Sequence, residues 1–205
     1  MNNKFFKEGG FIKTKLSPDI LKRLERYIKD KGASWNKQLA GNISRSCLLE
    51  DKNNFFFEKV LVPHINQYKK DFIPSLPLIL TESCKFKLNK FWVNFQKKYE
   101  FNPIHNHSGV YSFVIWIKIP SSYKKECELP FIKNSNSPLP NTFQFINTNV
   151  VGKIMTADFN LEPSDEGTML FFPAQLNHAV YPFYLSNKER ISVSGNIALN
   201  PREII

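Results

Sequence analysis

From Pro77 onward the chain is a succession of short segments rich in β-branched and aromatic residues: LILTESCKFKLNKFWVNFQKKYEF, VYSFVIWIKIP, TFQFINTN, KIMTADFNLEP, GTMLFFP, HAVYPFY and RISVSGNIAL. Asn, Pro, Gly or Ser cuts each one off, as in the turn Pro163-Ser164-Asp165-Glu166-Gly167. Such residues suit a pleated, half-buried surface, and segments this short predict strands joined by turns. Helical patterning is confined to the part before Pro77. After Ser17, residues Ile20, Leu21, Leu24, Tyr27 and Ile28 recur at helical spacing, with Gly32 as the expected stop. A second helical pattern runs from about Asn54 to Phe72 and is interrupted or kinked at Pro63. Helices first and many short strands after predict an α+β, mainly β chain built on a β-sandwich or jelly roll.

The 205 residues fit one domain, with a helical N-terminal support over about 1–75 and a jelly-roll core over about 78–200. A 42% hydrophobic and 14% aromatic content excludes disorder over most of the chain. Cys47, Cys84 and Cys127 form no CxxC pair and are odd in number, so neither a disulfide framework nor a cysteine zinc site is expected. The N-terminus carries no long apolar stretch or cleavage signature, and no run of about 18 apolar residues occurs, which predicts a soluble, cytoplasmic protein. The formal charge of +10 raises a nucleic-acid reading. The lysines, however, are scattered singly or in pairs, as a lysine- and asparagine-rich composition alone would leave them. Residues 121–142 are polar and without periodicity, and read as a long surface excursion, either a substrate lid or a tolerated insertion.

Of four histidines, His105 and His107 are two apart just before an apolar strand. In extended backbone such residues share a face, so both imidazoles can reach one ion. His178 follows GTMLFFPAQLN, at the rim where a strand ends and the next begins. Three neutral nitrogen ligands with open positions suit iron(II), with zinc as the chief competitor. The competing reading is a pair of ordinary surface or core imidazoles. Arg190 lies twelve residues after His178, and Ser192 shares its strand face. A guanidinium is suited to bidentate capture of a carboxylate, and a nearby hydroxyl adds a third bond. The alternative for Arg190 is an edge arginine paired with Glu189 or Asp165.

The string WVNFQKKYEFNPIHNHSGVYSFVIWIKIP (residues 92–120), followed by FFPAQLNH and RISVSGN, resembles the 2-oxoglutarate/iron(II) oxygenases related to prolyl 4-hydroxylases, a group common in marine bacteria and phages. The segment Leu39-Ala40-Gly41-Asn42-Ile43 is similar to that group's N-terminal region, and the likeness extends over roughly residues 35–200. The resemblance implies a double-stranded β-helix with N-terminal helices packed on its major sheet. It implies a metal triad in which His105 and His178 are the two histidines. Where His107 stands, the wider superfamily usually has Asp or Glu. A third imidazole makes the site more positive by one charge. The alternatives are that His107 points away and water takes its place, or that a carboxylate such as Asp158 approaches. Arg190, assisted by Ser192, takes the role of binding the distal carboxylate of 2-oxoglutarate. Asn94 and Trp116 lie on strands that should line the same pocket, against readings as a turn amide and as core packing.

The expected activity is that of an iron(II)- and 2-oxoglutarate-dependent dioxygenase acting on a small-molecule or peptidyl substrate with dioxygen, releasing succinate and carbon dioxide, with ascorbate as an accessory reductant. No Ser-His-Asp or Cys-His arrangement competes for a hydrolase. A cupin-like protein that binds a metal or small acid without turnover is the alternative, a basic nucleic-acid-binding module is a third, and a homodimer is left open.

Overall fold

A computed structural model of the chain describes residues 2–6, 9–72 and 84–204. Its elements run β1 (Asn2–Phe6), β2 (Gly9–Lys15), α1 (Pro18–Lys29), β3 (Ser46–Leu48), α2 (Val62–Phe72), β4 (Cys84–Gln96), β5 (Asn102–His105), β6 (Tyr111–Lys118), α3 (Tyr123–Glu126), β7 (Thr142–Thr148), β8 (Ile154–Asn160), β9 (Thr168–Pro173), β10 (His178–Val180) and β11 (Arg190–Ile204). Two antiparallel sheets result. The larger has the order β1-β2-β9-β6-β11-β4-β3 and the smaller β5-β10-β7-β8. From β4 to β11 the chain winds back and forth between them, so strands adjacent in a sheet, the consecutive pair β7–β8 aside, are distant in sequence. This is the expected jelly roll, the double-stranded β-helix.

Alternation along the strands of the larger sheet separates two apolar layers. Phe91, Val93 and Phe95 of β4, Tyr111, Phe113 and Ile115 of β6, Met169 and Phe171 of β9, and Val193 and Ile197 of β11 share one buried cluster with Leu24, Tyr27, Phe56, Leu61, Ile65, Tyr68 and Phe72. That is the face on which the helices pack. The opposite face carries Val114, Trp116, Leu170 and Phe172, which meet Phe143 and Phe145 of the smaller sheet. This inner face also carries polar residues: Asn94 and Gln96 on β4 and Arg190, Ser194 and Asn196 on β11 are all buried. A stripe of buried polar side chains inside a barrel is expensive unless each is bonded or serves a ligand.

Helix α1 buries Leu24 and Tyr27, and its Asp19, Arg26 and Lys29 complement the helix dipole. It ends at Lys29, short of Gly32, whose N–H instead donates to Leu48 O at 2.8 Å. The second helical pattern begins with a π-helical turn, Phe57–Leu61, that passes into α2 with Pro63 in its first turn. A wide turn before a proline fits a residue that lacks an N–H and crowds the preceding carbonyls. Strands β1, β2 and β3 are not signalled by the sequence patterning. β2 pairs with β9 and extends the larger sheet. Leu78–Ser83, expected to open the strand region, lie outside the described residues.

The stretch 121–142 corrects the expectation of a surface excursion, because parts of it are interior. Glu126 is completely buried and accepts from Ser121 Oγ and from the backbone N–H groups of Tyr184 and Leu185. Asn141 is completely buried as well, with a left-handed backbone (φ 50°) that asparagine tolerates better than most residues. Among the described residues no helix is long and apolar enough to cross a membrane.

Candidate metal centre

His105 ends β5 and His178 begins β10, and the two are register partners across that pair. His107, two residues beyond His105, is held by its backbone N–H on Ala174 O at 2.8 Å. The ring centroids lie 4.3 Å (His105–His178), 4.9 Å (His107–His178) and 5.1 Å (His105–His107) apart. One ligand atom from each lies within 4.8 Å of the others. Imidazole–metal bonds of about 2.1 Å bring such nitrogens to about 3 Å from one another, so small ring rotations close the triad on an ion.

Two of the three rings have their tautomer set by the backbone. His105 Nδ1 lies 2.7 Å from Pro103 O and His178 Nδ1 lies 2.9 Å from Leu176 O. A carbonyl only accepts, so Nδ1 carries the proton in both and Nε2 is left as the lone-pair donor. Burial lowers the pKa of all three. For His105 desolvation outweighs the Pro103 carbonyl, His107 is brought down to about 4 by desolvation and then by His105, and His178 is held well below the usual histidine range by desolvation and then by His105 and His107. The rings are therefore neutral at pH 7, as metal ligands must be.

These histidines line a cavity of about 210 Å³ that is also lined by Asn36, Gln38 and Ser46. Among the described residues no Asp, Glu, Lys or Arg lines it. An ion held here would be the dominant local charge. Trp92 and Asn102 also form the wall, and among the described residues the buried indole Nε1 and Asn102 Oδ1 find no hydrogen-bond partner.

The structure brings most of the sequence-derived site residues to one place. On the inner face of β4 and β11 the register pairs are Trp92–Ser194, Asn94–Ser192 and Gln96–Arg190. This ladder starts beside the three histidines, where Trp92 lies 5.7 Å from His107 ring to ring, and reaches Arg190 about 13 Å of strand later. Asn94 and Ser192 line the cavity, and Asn94 Oδ1 accepts from Ser46 Oγ at 2.7 Å. Arg190 lies one step beyond the cavity wall, 2% exposed. Trp116 is placed elsewhere: it packs edge-on against Phe143 at 5.7 Å and borders a separate cavity with Asp158. Asp158 accepts from Gln144 Nε2 at 2.8 Å, away from the histidines. Glu189 is taken by Arg45 at 2.6 Å, and Asp165 caps its own turn through Glu162 N. Neither is the partner of Arg190.

The surroundings of Arg190 are what sequence reasoning missed. Nε and Nη2 donate to Gln96 Oε1 at 3.2 and 2.7 Å, Nη1 donates to Asn141 Oδ1 at 2.8 Å, and Nη2 donates to Tyr181 O at 2.9 Å. Burial pushes the guanidinium down to about 9, with Glu126 acting in the opposite direction, so it is charged at neutral pH. The only signal that could have found Gln96 is its place two residues after Asn94 on the same strand face. Asn141 carries none.

The sequence model of a family described as "Putative 2OG-Fe(II) oxygenase" matches residues 90–196, the stretch from β4 to the middle of β11. No curated protein matches the sequence. Among solved structures, a Pseudomonas putida prolyl-4-hydroxylase is 12% identical with a TM-score of 0.51, covering 91% of each chain. HygX from Streptomyces hygroscopicus, with nickel, 2-oxoglutarate and hygromycin B bound, is 10% identical with a TM-score of 0.55, covering 94% of this chain and 84% of its own. An oxidoreductase of the 2OG-Fe(II) oxygenase family from Burkholderia pseudomallei is 13% identical with a TM-score of 0.50, covering 92% of this chain and 84% of its own. At these identities the structural likeness is a likeness of fold.

Proposed function

Because the chain belongs to the family of 2OG-Fe(II) oxygenases, we propose that His105, His107 and His178 hold its iron and that Arg190, with Ser192 and Asn94, receives the far carboxylate of 2-oxoglutarate. The protein is a 2-oxoglutarate-dependent oxygenase, an oxidoreductase that uses dioxygen. Bound iron(II) supplies the redox chemistry that couples decarboxylation of 2-oxoglutarate to oxidation of a substrate.

The observation that carries the assignment is the convergence of three neutral imidazoles, His178 buried and His105 and His107 half-buried, two of them with Nδ1 committed to a carbonyl and Nε2 presented. The donor set fits iron(II), which accepts imidazole nitrogen and leaves positions for ligands beyond the protein. His107 is the third ligand, where a carboxylate is usual.

Each remaining group has a defined task. Asn94 and Ser192 line the path from the histidines towards Arg190 and offer neutral hydrogen-bonding groups along it. Arg190 brings a buried positive charge to its end, and among the described residues no carboxylate pairs with it. Phe143 and Phe172 form the apolar side of the cavity and limit the water that can enter.

The test is turnover. Purified protein incubated in air with iron(II), 2-oxoglutarate and ascorbate should form succinate above a metal-free control, and Arg190→Ala should lose it. If 2-oxoglutarate binds to no metal form of the protein, the assignment fails and a cupin-like binding role replaces it.

A further inference from the structure

Arg190 is held in an unusual way for a buried charge. Buried guanidinium groups ordinarily pair with carboxylates, because an uncompensated charge in a low-dielectric interior is costly. Here all four hydrogen bonds go to neutral oxygens: two to Gln96 Oε1, one to Asn141 Oδ1 and one to Tyr181 O. A fully buried carboxylate exists in the same region, on Glu126, but its oxygens are engaged by Ser121 Oγ, Tyr184 N and Leu185 N. It anchors the loop that follows β10 and makes no bond to the arginine.

The two amides have no freedom to turn. Gln96 Nε2 donates to Glu100 O, and Asn141 Nδ2 donates to both Ser121 O and Leu161 O at 2.8 Å. With their NH₂ ends so committed, each presents its oxygen to the guanidinium. Asn141 is further fixed by its backbone N–H on Pro182 O at 2.7 Å. Four of the five guanidinium N–H groups are used, and one on Nη1 is left for a ligand. Ser192, two residues along the same strand face, lines the cavity that holds the histidines.

We propose that Gln96 and Asn141 are positioning residues for co-substrate binding, which aim the Arg190 guanidinium through neutral oxygens and so leave its positive charge for the far carboxylate of 2-oxoglutarate. The proposal rests on the assignment of Arg190 as the carboxylate anchor. A glutamate at position 96 would have almost the same shape but would satisfy the charge internally and compete with the ligand. Neutral amides orient without neutralising.

The experiment uses the full chain loaded with nickel(II), a redox-inert stand-in, and titrates 2-oxoglutarate by calorimetry, with nickel affinity and melting temperature measured on the same samples. Gln96→Glu should weaken 2-oxoglutarate binding at least tenfold while nickel affinity stays within twofold. Gln96→Met, which brings no charge into the interior and serves if the glutamate variant fails to fold, should weaken it at least threefold, again at constant nickel affinity. A merely structural role would lower the melting temperature and nickel affinity together. Unchanged 2-oxoglutarate affinity in either folded variant overturns the proposal. Arg190→Ala separates the two levels: if it binds 2-oxoglutarate like the native protein, the anchor assignment itself is wrong. If it loses binding while the Gln96 variants do not, the anchor stands and the positioning role falls.

Discussion

His105 and His178 face each other across the β5–β10 pair with ring centroids 4.3 Å apart, and each is locked by the same local device, an Nδ1 bonded to the carbonyl two residues before it. The shared device predicts equal importance. His105→Ala and His178→Ala should each lower nickel(II) affinity by about a hundredfold or more, beyond the loss expected for removing an outer-shell partner. His107→Asp should bind nickel at least as tightly as the native protein, because it keeps a donor and lowers the site's charge by one. Competition titration against a chelator measures both. Native affinity in His105→Ala would remove the basis for the triad.

The pH dependence of stability follows from the same burial. In the unfolded chain a histidine titrates near 6.5, whereas in the fold His105 and His178 are shifted down and His107 lies at about 4. Well above pH 6.5 all three are neutral in both states and contribute no slope. Below it the unfolded chain takes up protons that the folded protein refuses, so stability falls as pH drops from 6.5 towards 4. The loss is at most about 1.4 kcal/mol per pH unit per histidine. Melting curves of metal-free protein between pH 8 and 4.5 should show this decline, and His107→Gln should make it shallower. Parallel curves for the two proteins would contradict the burial argument.

Arg190→Lys should behave as a severe change despite the conserved charge. A single ammonium cannot reach Gln96, Asn141 and Tyr181 together in the fork geometry of a guanidinium. At least one buried acceptor loses its donor, at about 1–3 kcal/mol. Denaturant unfolding should register that loss, and 2-oxoglutarate affinity should fall at least about tenfold. A lysine variant with native stability and native co-substrate affinity would show that the fork geometry is unimportant.

The sequence made the grouping of His105, His107 and His178 legible because its signal is local: a two-residue spacing, a strand rim and neighbours of unmistakable β character. The shared inner strand face of Arg190 and Ser192 was legible for the same reason, and the jelly roll followed from the run of short strands. The network around Arg190 was not, because its partners are 94 and 49 residues away and polar side chains in an unpatterned stretch look the same whether buried or exposed. Glu126 and Asn141 became interior only through the closure of the barrel. Trp116 failed differently: its strand does line the inner face, but alternation fixes the face and not the depth, and at its depth the space is filled by Phe143. β2 escaped notice because both of its apolar residues are buried on opposite faces, Ile12 with the helix layer and Phe11 between the sheets, so no alternation shows.

Gly195 ties the stability of the sheet to the site that the sheet carries. It lies in the middle of β11, opposite Phe91 on β4 and Phe113 on β6. A Cβ there would stand 2.7 Å from Lys90 O and 2.7 Å from Phe113 Cζ. The carbonyl belongs to the β4 backbone, and the ring is 1% exposed and packed on Phe56 and Phe91 at centroid distances of 5.6 and 6.1 Å. Neither can retreat cheaply. Gly195→Ala should therefore cost about 1–3 kcal/mol by overpacking, lowering the melting temperature by roughly 2–10 °C for a chain of this size. Adding Phe113→Leu, which withdraws the ring edge, should recover part of that loss, so the double variant should melt above the sum of the two single effects. Strict additivity would mean that the ring is not what Gly195 accommodates, and a Gly195→Ala protein melting within 1 °C of native would mean that the backbone of β11 yields where the packing says it cannot.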